Sequence, residues 1–109
     1  MTLLHRDQAR CRHWPGLLAS ASLDDWVARI PWQQNQITVY GKTYDEPRLT
    51  AWFGPAYRYS SIHWPAAEMP PELEIWNGHL AAILGCRPFD AVLCNLYRNG
   101  QDAMGWHRD

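Results

Sequence analysis

The sequence predicts an α+β domain, and three local patterns carry that prediction. Two segments repeat apolar residues at helical spacing, and a β-branched run between them is punctuated by glycine turn signals. The stretch Val92–Asp109 then alternates at the strand period of two. Residues 1–109 read as one domain, since a chain of this length supports a single core.

The order of elements follows from the same rules. Residues 1–13 show no clear periodicity and are expected to form an extended start. A first helix is bounded by a Ser22 cap and by Pro31, with Asp24 and Asp25 in the first turn, where the helix dipole favours negative charge. Leu23, Trp26, Val27 and Ile30 form its apolar stripe. Ile37–Tyr40 reads as a strand, with Gly41-Lys42 as a two-residue type II′ hairpin turn. A second strand passes through Thr43-Tyr44, and a third runs from Arg48 to Phe53 until Gly54-Pro55 breaks it. The Pro65–Pro71 segment is a loop. A second helix is predicted over Pro71–Leu84, opened by its prolines, with Glu72 and Glu74 near its start and Gly85 just past its end. Leu73, Trp76, Leu80, Ile83 and Leu84 are its predicted packing stripe, and His79 lies off that stripe.

Composition excludes several classes. A content of 47% hydrophobic and 19% charged residues is globular rather than disordered. No apolar run approaches the roughly 20 residues that span a bilayer, so no membrane partner is expected. Three cysteines (Cys11, Cys86, Cys94) without C-x-x-C spacing read as free thiols, and Cys94 as a core residue. The start of the chain lacks the apolar core of a secretory signal, so a cytoplasmic location is expected, or nuclear and cytoplasmic in a eukaryote. A net charge of −1 argues against strong non-specific binding of nucleic acid but allows a local basic groove. Lys42 is the only lysine, and Arg48, Arg58, Arg98 and Arg108 lie within or beside the motifs below.

Seven tryptophans need separate explanations. Trp14, Trp26 and Trp76 suit packing of the N-terminal segment and helices. Trp32 and Trp52 approach a possible binding region, Trp64 precedes Pro65 in a loop, and Trp106 is read as a packing residue.

The C-terminal stretch carries the chemistry. By strand parity Val92, Cys94 and Leu96 share one face, and Leu93, Asn95 and Tyr97 the other. Asn99-Gly100 signals a turn. A following strand would place Met104 and Trp106 on one side, and Gly105, His107 and Asp109 on the other. Asn95, Tyr97, His107 and Asp109 would then face one interior. An imidazole and a carboxylate two residues apart are two thirds of a 2-His-1-carboxylate iron site, although His-x-Asp alone is a short pattern that chance supplies.

Three blocks make the pattern specific: PRLTAWFG at Pro47–Gly54, YRYS at Tyr57–Ser60, and NLYRNGQDAMGWHRD at Asn95–Asp109. Together they resemble the AlkB-like family of Fe(II)/2-oxoglutarate-dependent dioxygenases, in its alkylation-repair branch. The resemblance implies that His107 and Asp109 bind Fe(II) and that Asn95 and Tyr97 hydrogen-bond the co-substrate 2-oxoglutarate. It also implies that Trp52, Tyr57, Tyr59 and Ser60 bind an alkylated base of DNA or RNA. Within this likeness Tyr59 stacks on an extruded base against His107. The implied reaction is oxidative demethylation of bases such as 1-methyladenine and 3-methylcytosine. The implied architecture has nucleotide-recognition lid hairpins and two helices leading into the first strands of a double-stranded β-helix, a jelly-roll.

The family pattern continues past position 109 with a distal histidine and with arginines that grip 2-oxoglutarate. The barrel is therefore expected to be incomplete in this chain, its last edge aggregation-prone, and the chemistry to belong to the intact protein. A protein, lipid or tRNA oxygenase of the same fold, or an inactive fragment, are the competing readings.

Overall fold

The computed structural model describes residues 2–6, 9–17, 23–59 and 62–107. Helix α1 (Leu23–Arg29) forms where the first stripe predicts it, and α2 spans the predicted Pro71–Leu84. Pro70 and Pro71 open α2, and Gly85 closes it in a left-handed conformation at φ 68°, its N–H donating to Ala82 O. The strands are antiparallel throughout and pair in two-stranded sheets, without a closed barrel among the described residues. No described helix is long and apolar enough to cross a membrane.

The expected extended start is a hairpin, β1 (Thr2–Arg6) with β2 (Ala9–His13). Strands β3 (Gln36–Val39) and β4 (Lys42–Asp45) form the anticipated second hairpin, but its turn lies one residue earlier than predicted. Val39 pairs with Lys42, so Tyr40 and Gly41 are the loop, at φ 50° and 75°. Two consecutive positive φ values make this a type I′ turn, one of the two types whose twist matches the flanking strands. A tyrosine thus sits where asparagine or glycine is preferred, and its side chain is fully exposed.

Strand β5 (Leu49–Phe53) is central. One edge pairs with β8 (Val92–Leu96), in the register Leu49↔Leu96, Ala51↔Cys94 and Phe53↔Val92. On the other edge, Thr50 exchanges backbone hydrogen bonds with Gln33 (2.8 and 3.1 Å), and Gly54 exchanges them with Ala67 (2.7 and 2.9 Å). Odd-numbered residues of β5 and even-numbered residues of β8 make the core face. Ala51 and Phe53 are buried with Ile30 of the α1 end and Leu73 of α2, and Val92 and Cys94 pack against them. Burial pushes the Cys94 thiol up from its ordinary pKa, as suits a core cysteine.

The helices close over this face. Trp26 and Trp76 meet at 4.7 Å between ring centroids, and Arg29 pairs with Glu72 across the two helices. Trp32 is a packing residue rather than part of a binding approach. It lies against the core, and its indole N–H donates to Val27 O at 3.0 Å. On α2 the buried stripe ends at Ala81, whereas Ile83 and Leu84 are exposed. The predicted stripe followed residue size, while the backbone turns Leu73, Trp76, Leu80 and Ala81 toward the sheet. Asn77 then pins the following loop, since its side chain both donates to Phe89 O (2.8 Å) and accepts from Phe89 N (2.7 Å).

Hairpin β6 (Tyr57–Tyr59) with β7 (Ile62–Trp64) completes the order. Trp64, expected in a loop, is the buried last residue of β7. The predicted strand after Asn99-Gly100 does not form: residues 103–107 carry no strand, and Trp106 is fully exposed rather than packed.

Gly54 is held at φ 140°, and a Cβ there would lie 2.7 Å from the Ala91 Cβ and 3.1 Å from the Asp90 carbonyl oxygen. Gly54→Ala is therefore expected to destabilise the chain by about 3 kcal/mol in urea denaturation. By contrast, Tyr40→Asn, which tolerates the left-handed turn, should raise stability by about 1 kcal/mol in the same assay.

Candidate functional site

Opposite the core, the β5–β8 ladder presents a second face. The register sets Thr50 across from Asn95 and Trp52 across from Leu93. Burial in β8 alternates accordingly, with Leu93 and Asn95 exposed while Val92, Cys94 and Leu96 are partly buried. Both outer hydrogen-bonding groups of Thr50 are used by Gln33, so Thr50↔Asn95 is a non-hydrogen-bonded pair, the type with the closer side chains.

Beneath Asn95 lies a buried polar chain. Thr50 is 1% exposed, and its hydroxyl accepts from the Asn35 side-chain amide at 2.7 Å. Asn35 Oδ1 in turn accepts from Gln33 Nε2 at 2.7 Å. Each member is satisfied, as buried polar groups must be.

Tyr97 follows β8 and is half exposed. Its hydroxyl accepts a long hydrogen bond from Arg48 Nη1 (3.4 Å), while Arg48 Nε donates to the buried Glu46 carboxylate at 2.6 Å. Partial burial opposes the Arg48 charge, but hydrogen bonds to Glu46 and Tyr97 outweigh it, and the guanidinium pKa is raised. Arg48 therefore stays charged beside the phenol.

The aromatic part of the site is assembled around Trp52. Its ring lies 5.1 Å from Tyr57 and 6.0 Å from Trp64, and Tyr57 lies 5.9 Å from Trp64, all at interplanar angles of 29° or less. The Trp52 indole N–H donates to Pro55 O at 2.7 Å, which fixes the ring against its own turn. Tyr59 pairs with Ile62 in the same hairpin. The Tyr59 side chain and Ser60 lie outside the described residues, as do Arg108 and Asp109.

His107 is exposed, and its Nδ1 lies 2.8 Å from Gly105 O. A carbonyl oxygen only accepts, so Nδ1 donates in this contact. Among the described residues no three of His, Cys, Asp or Glu are grouped as metal ligands. His79 and His63 are exposed, as the sequence predicts for histidines uncommitted to a site.

The structure thus brings Trp52 and Tyr57 into contact and sets Asn95 on the same ladder face as Trp52. Sequence reasoning missed Trp64, Thr50 and Arg48 as neighbours of these residues. One signal was available: Tyr57-Arg58-Tyr59 and Ile62-His63-Trp64 mirror each other in apolar–polar alternation about Ser60-Ser61, a hairpin pattern that pairs Tyr57 with Trp64.

No family model matches the chain. Individual proteins do. It is 37% identical over 92 residues to the human alpha-ketoglutarate-dependent dioxygenase alkB homolog 3, covering 78% of this chain and 32% of that protein. It is 33% identical over 89 residues to the Arabidopsis thaliana DNA oxidative demethylase ALKBH2, covering 73% of this chain and 27% of that protein. The human ALKBH2 matches at 34% over 77 residues, covering 68% and 29%. These relatives define one class, the 2-oxoglutarate-dependent dioxygenases. Within it, the chain belongs to the AlkB-like family. It spans about a third of the length of the curated relatives it matches.

The turn after Tyr97 has its own electrostatic lock. Asp102 accepts from Arg98 Nε (2.7 Å), Arg98 Nη2 (3.1 Å) and the Arg98 backbone N–H (2.8 Å). Arg98 Nη1 also reaches Gln34 Oε1 at 3.2 Å. The Arg98 side chain first, and its backbone N–H second, hold the Asp102 carboxyl below the ordinary value of 3.8. The unfolded chain therefore takes up the proton more readily. The stabilisation is complete above that ordinary value and is lost as pH falls through the lower folded value. The urea midpoint of the native chain should exceed that of Asp102→Asn near neutral pH, and the difference should shrink as pH drops below about 4.

Proposed function

We propose that the whole protein is an Fe(II)- and 2-oxoglutarate-dependent dealkylase of N-alkylated bases in DNA or RNA. The observation that carries this reading is the second face of the β5–β8 ladder. There Asn95 stands on the same side as Trp52, Tyr57 stacks on Trp52, and Tyr97 follows β8 with its phenol held by Arg48. A polar co-substrate contact and an aromatic base contact thus share one ladder, as two-substrate chemistry at one carbon needs. The similarity to dioxygenases named for DNA oxidative demethylation supports the same class of substrate.

In this reading His107 and Asp109 hold the iron. The Nδ1 contact to the Gly105 carbonyl orients the imidazole, as a carbonyl partner commonly orients a metal-ligating histidine. Bound iron, with 2-oxoglutarate and oxygen, supplies the oxidation that turns an N-methyl C–H into C–OH while 2-oxoglutarate becomes succinate and carbon dioxide. Asn95 and Tyr97 hydrogen-bond 2-oxoglutarate and orient it. Arg48, fixed in its charged form, aims the Tyr97 hydroxyl and favours an anionic ligand beside it. Trp52 and Tyr57 present flat apolar surface to an extruded base and exclude water from it, and the family resemblance assigns Tyr59 and Ser60 to the same base. The hydroxymethyl product loses formaldehyde to give the unmodified base.

We assign β5 and β8 to the first strands of a double-stranded β-helix, and the β3–β4 and β6–β7 hairpins to a nucleotide-recognition lid. Three free cysteines favour a reducing compartment, the cytoplasm or nucleus.

The test is release of succinate and formaldehyde from an oligonucleotide carrying 1-methyladenine or 3-methylcytosine, supplied with Fe(II) and 2-oxoglutarate. The whole protein should release both in equal amounts, and His107→Ala or Asp109→Ala should abolish the release. Full activity in either variant, or 2-oxoglutarate turnover stimulated only by protein or lipid, would refute the assignment.

A further inference from the structure

We propose that Trp64 is a positioning residue that holds Trp52 and Tyr57 as one preassembled platform for an unstacked base of nucleic acid. The inference rests on the dealkylase reading above and names a residue that reading does not use. Trp64 is 6% exposed and ends β7, directly across the strand pair from Tyr57, which is 44% exposed. Its ring lies 5.9 Å from Tyr57 and 6.0 Å from Trp52, within 17° and 29° of parallel. The three rings thus form a closed triangle with two outer members and one inner member.

The backbone ties the triangle at both ends. Gly54, two residues past Trp52, exchanges both its hydrogen bonds with Ala67, three residues past Trp64. The Trp52 indole is fastened to Pro55 O. Trp52 and Trp64 therefore sit on segments locked to each other, and Tyr57 is locked to Trp64 by the hairpin register.

The Trp64 indole N–H is buried with no hydrogen-bond partner among the described residues. A buried orphan donor is destabilising, and a purely apolar ring at this position would avoid that cost. What the indole adds is flat area on which two other rings rest. A platform fixed before the ligand arrives loses little side-chain entropy on binding, so the effect appears in base affinity rather than in fold.

The experiment uses the whole protein with Trp64→Phe and Trp64→Leu. A fluorescently labelled single-stranded oligonucleotide, with and without one 1-methyladenine, is bound by anisotropy, and 2-oxoglutarate affinity is measured in parallel. Trp64→Leu should weaken oligonucleotide binding about tenfold, within what a base–aromatic stack contributes. Trp64→Phe, which keeps a ring and removes the orphan donor, should stay within about twofold of the native protein, and 2-oxoglutarate affinity should be unchanged in both. A Leu variant that binds like the native protein overturns the proposal, as does a Phe variant as weak as Leu. A joint loss of 2-oxoglutarate and oligonucleotide affinity marks a merely structural role and also overturns it. If the native protein binds both strands equally, the dealkylase reading fails, while the Phe-against-Leu contrast on the unmethylated strand still decides the role of Trp64. Absence of any strand binding defeats both.

Discussion

The pairing of β5 with β8 is the constraint on which the rest of the molecule depends. It joins a strand that precedes the aromatic hairpin and α2 to one that follows both, so it closes a long loop whose entropy local turns cannot offset. The closure is stabilised from two sides. The core face buries Ala51 and Phe53 beneath α1 and α2, and the opposite edge of β5 is held by Gln33 and Ala67. A strand bonded on both edges and packed on one face has little freedom to slip register. A slip of one residue would turn Thr50 and Trp52 into the core and expel Ala51 and Phe53. The same parity that protects the core therefore fixes which residues are left for chemistry.

Polar groups are used on that chemical face in a consistent way. Thr50, Asn35 and Glu46 are among the most buried polar residues, and each meets a specific partner at 2.6–2.8 Å. The Glu46–Arg48 pair and the Gln33–Asn35–Thr50 chain flank β5 from the segment before it. Arg48 of that pair reaches the Tyr97 hydroxyl, and Thr50 of that chain is the ladder partner of Asn95. Buried pairs of this type are weak as net stabilisers but costly to break on one side only, so they specify an arrangement more than they add stability.

Much of the fold was legible because it follows from periodicity. The α2 boundaries, the β8 face alternation, the core position of Cys94 and the β3–β4 hairpin all arise from patterns within one element. What stayed hidden depends on other elements or on competition between local rules. The turn falls at Tyr40-Gly41 rather than Gly41-Lys42 because the register pairs Val39 with Lys42, which puts a tyrosine at a positive φ that its residue type does not signal. Ile83 and Leu84 are expected inside because they are apolar and near helical spacing, yet burial on α2 ends at Ala81 and both are exposed. Trp32 is expected on the approach to a binding region from its position in the chain, whereas contact with the core and the indole bond to Val27 O identify packing. The site divides the same way. Asn95 could be placed from strand parity and Trp52 only from the family resemblance, while the Arg48 contact to Tyr97 joins residues 49 apart and leaves no sequence signature.

The aromatic and polar halves of the face make different demands, and the structure separates them accordingly. In the proposed function, a flexible dianion such as 2-oxoglutarate is best met by donors whose direction is set in advance, as the Arg48 contact sets the Tyr97 phenol. A base arriving from a stacked strand gains mainly from dispersion and water exclusion, which need area and flatness rather than aligned donors. Trp52 belongs to both environments. Its backbone is inside the β5–β8 ladder, two residues from Thr50, and its ring is inside the aromatic triangle. Under the proposed function, movement of that ring would be felt by the base contact, and movement of its strand by the co-substrate contact. A β5 bonded on both edges would then hold the two contacts at a fixed separation.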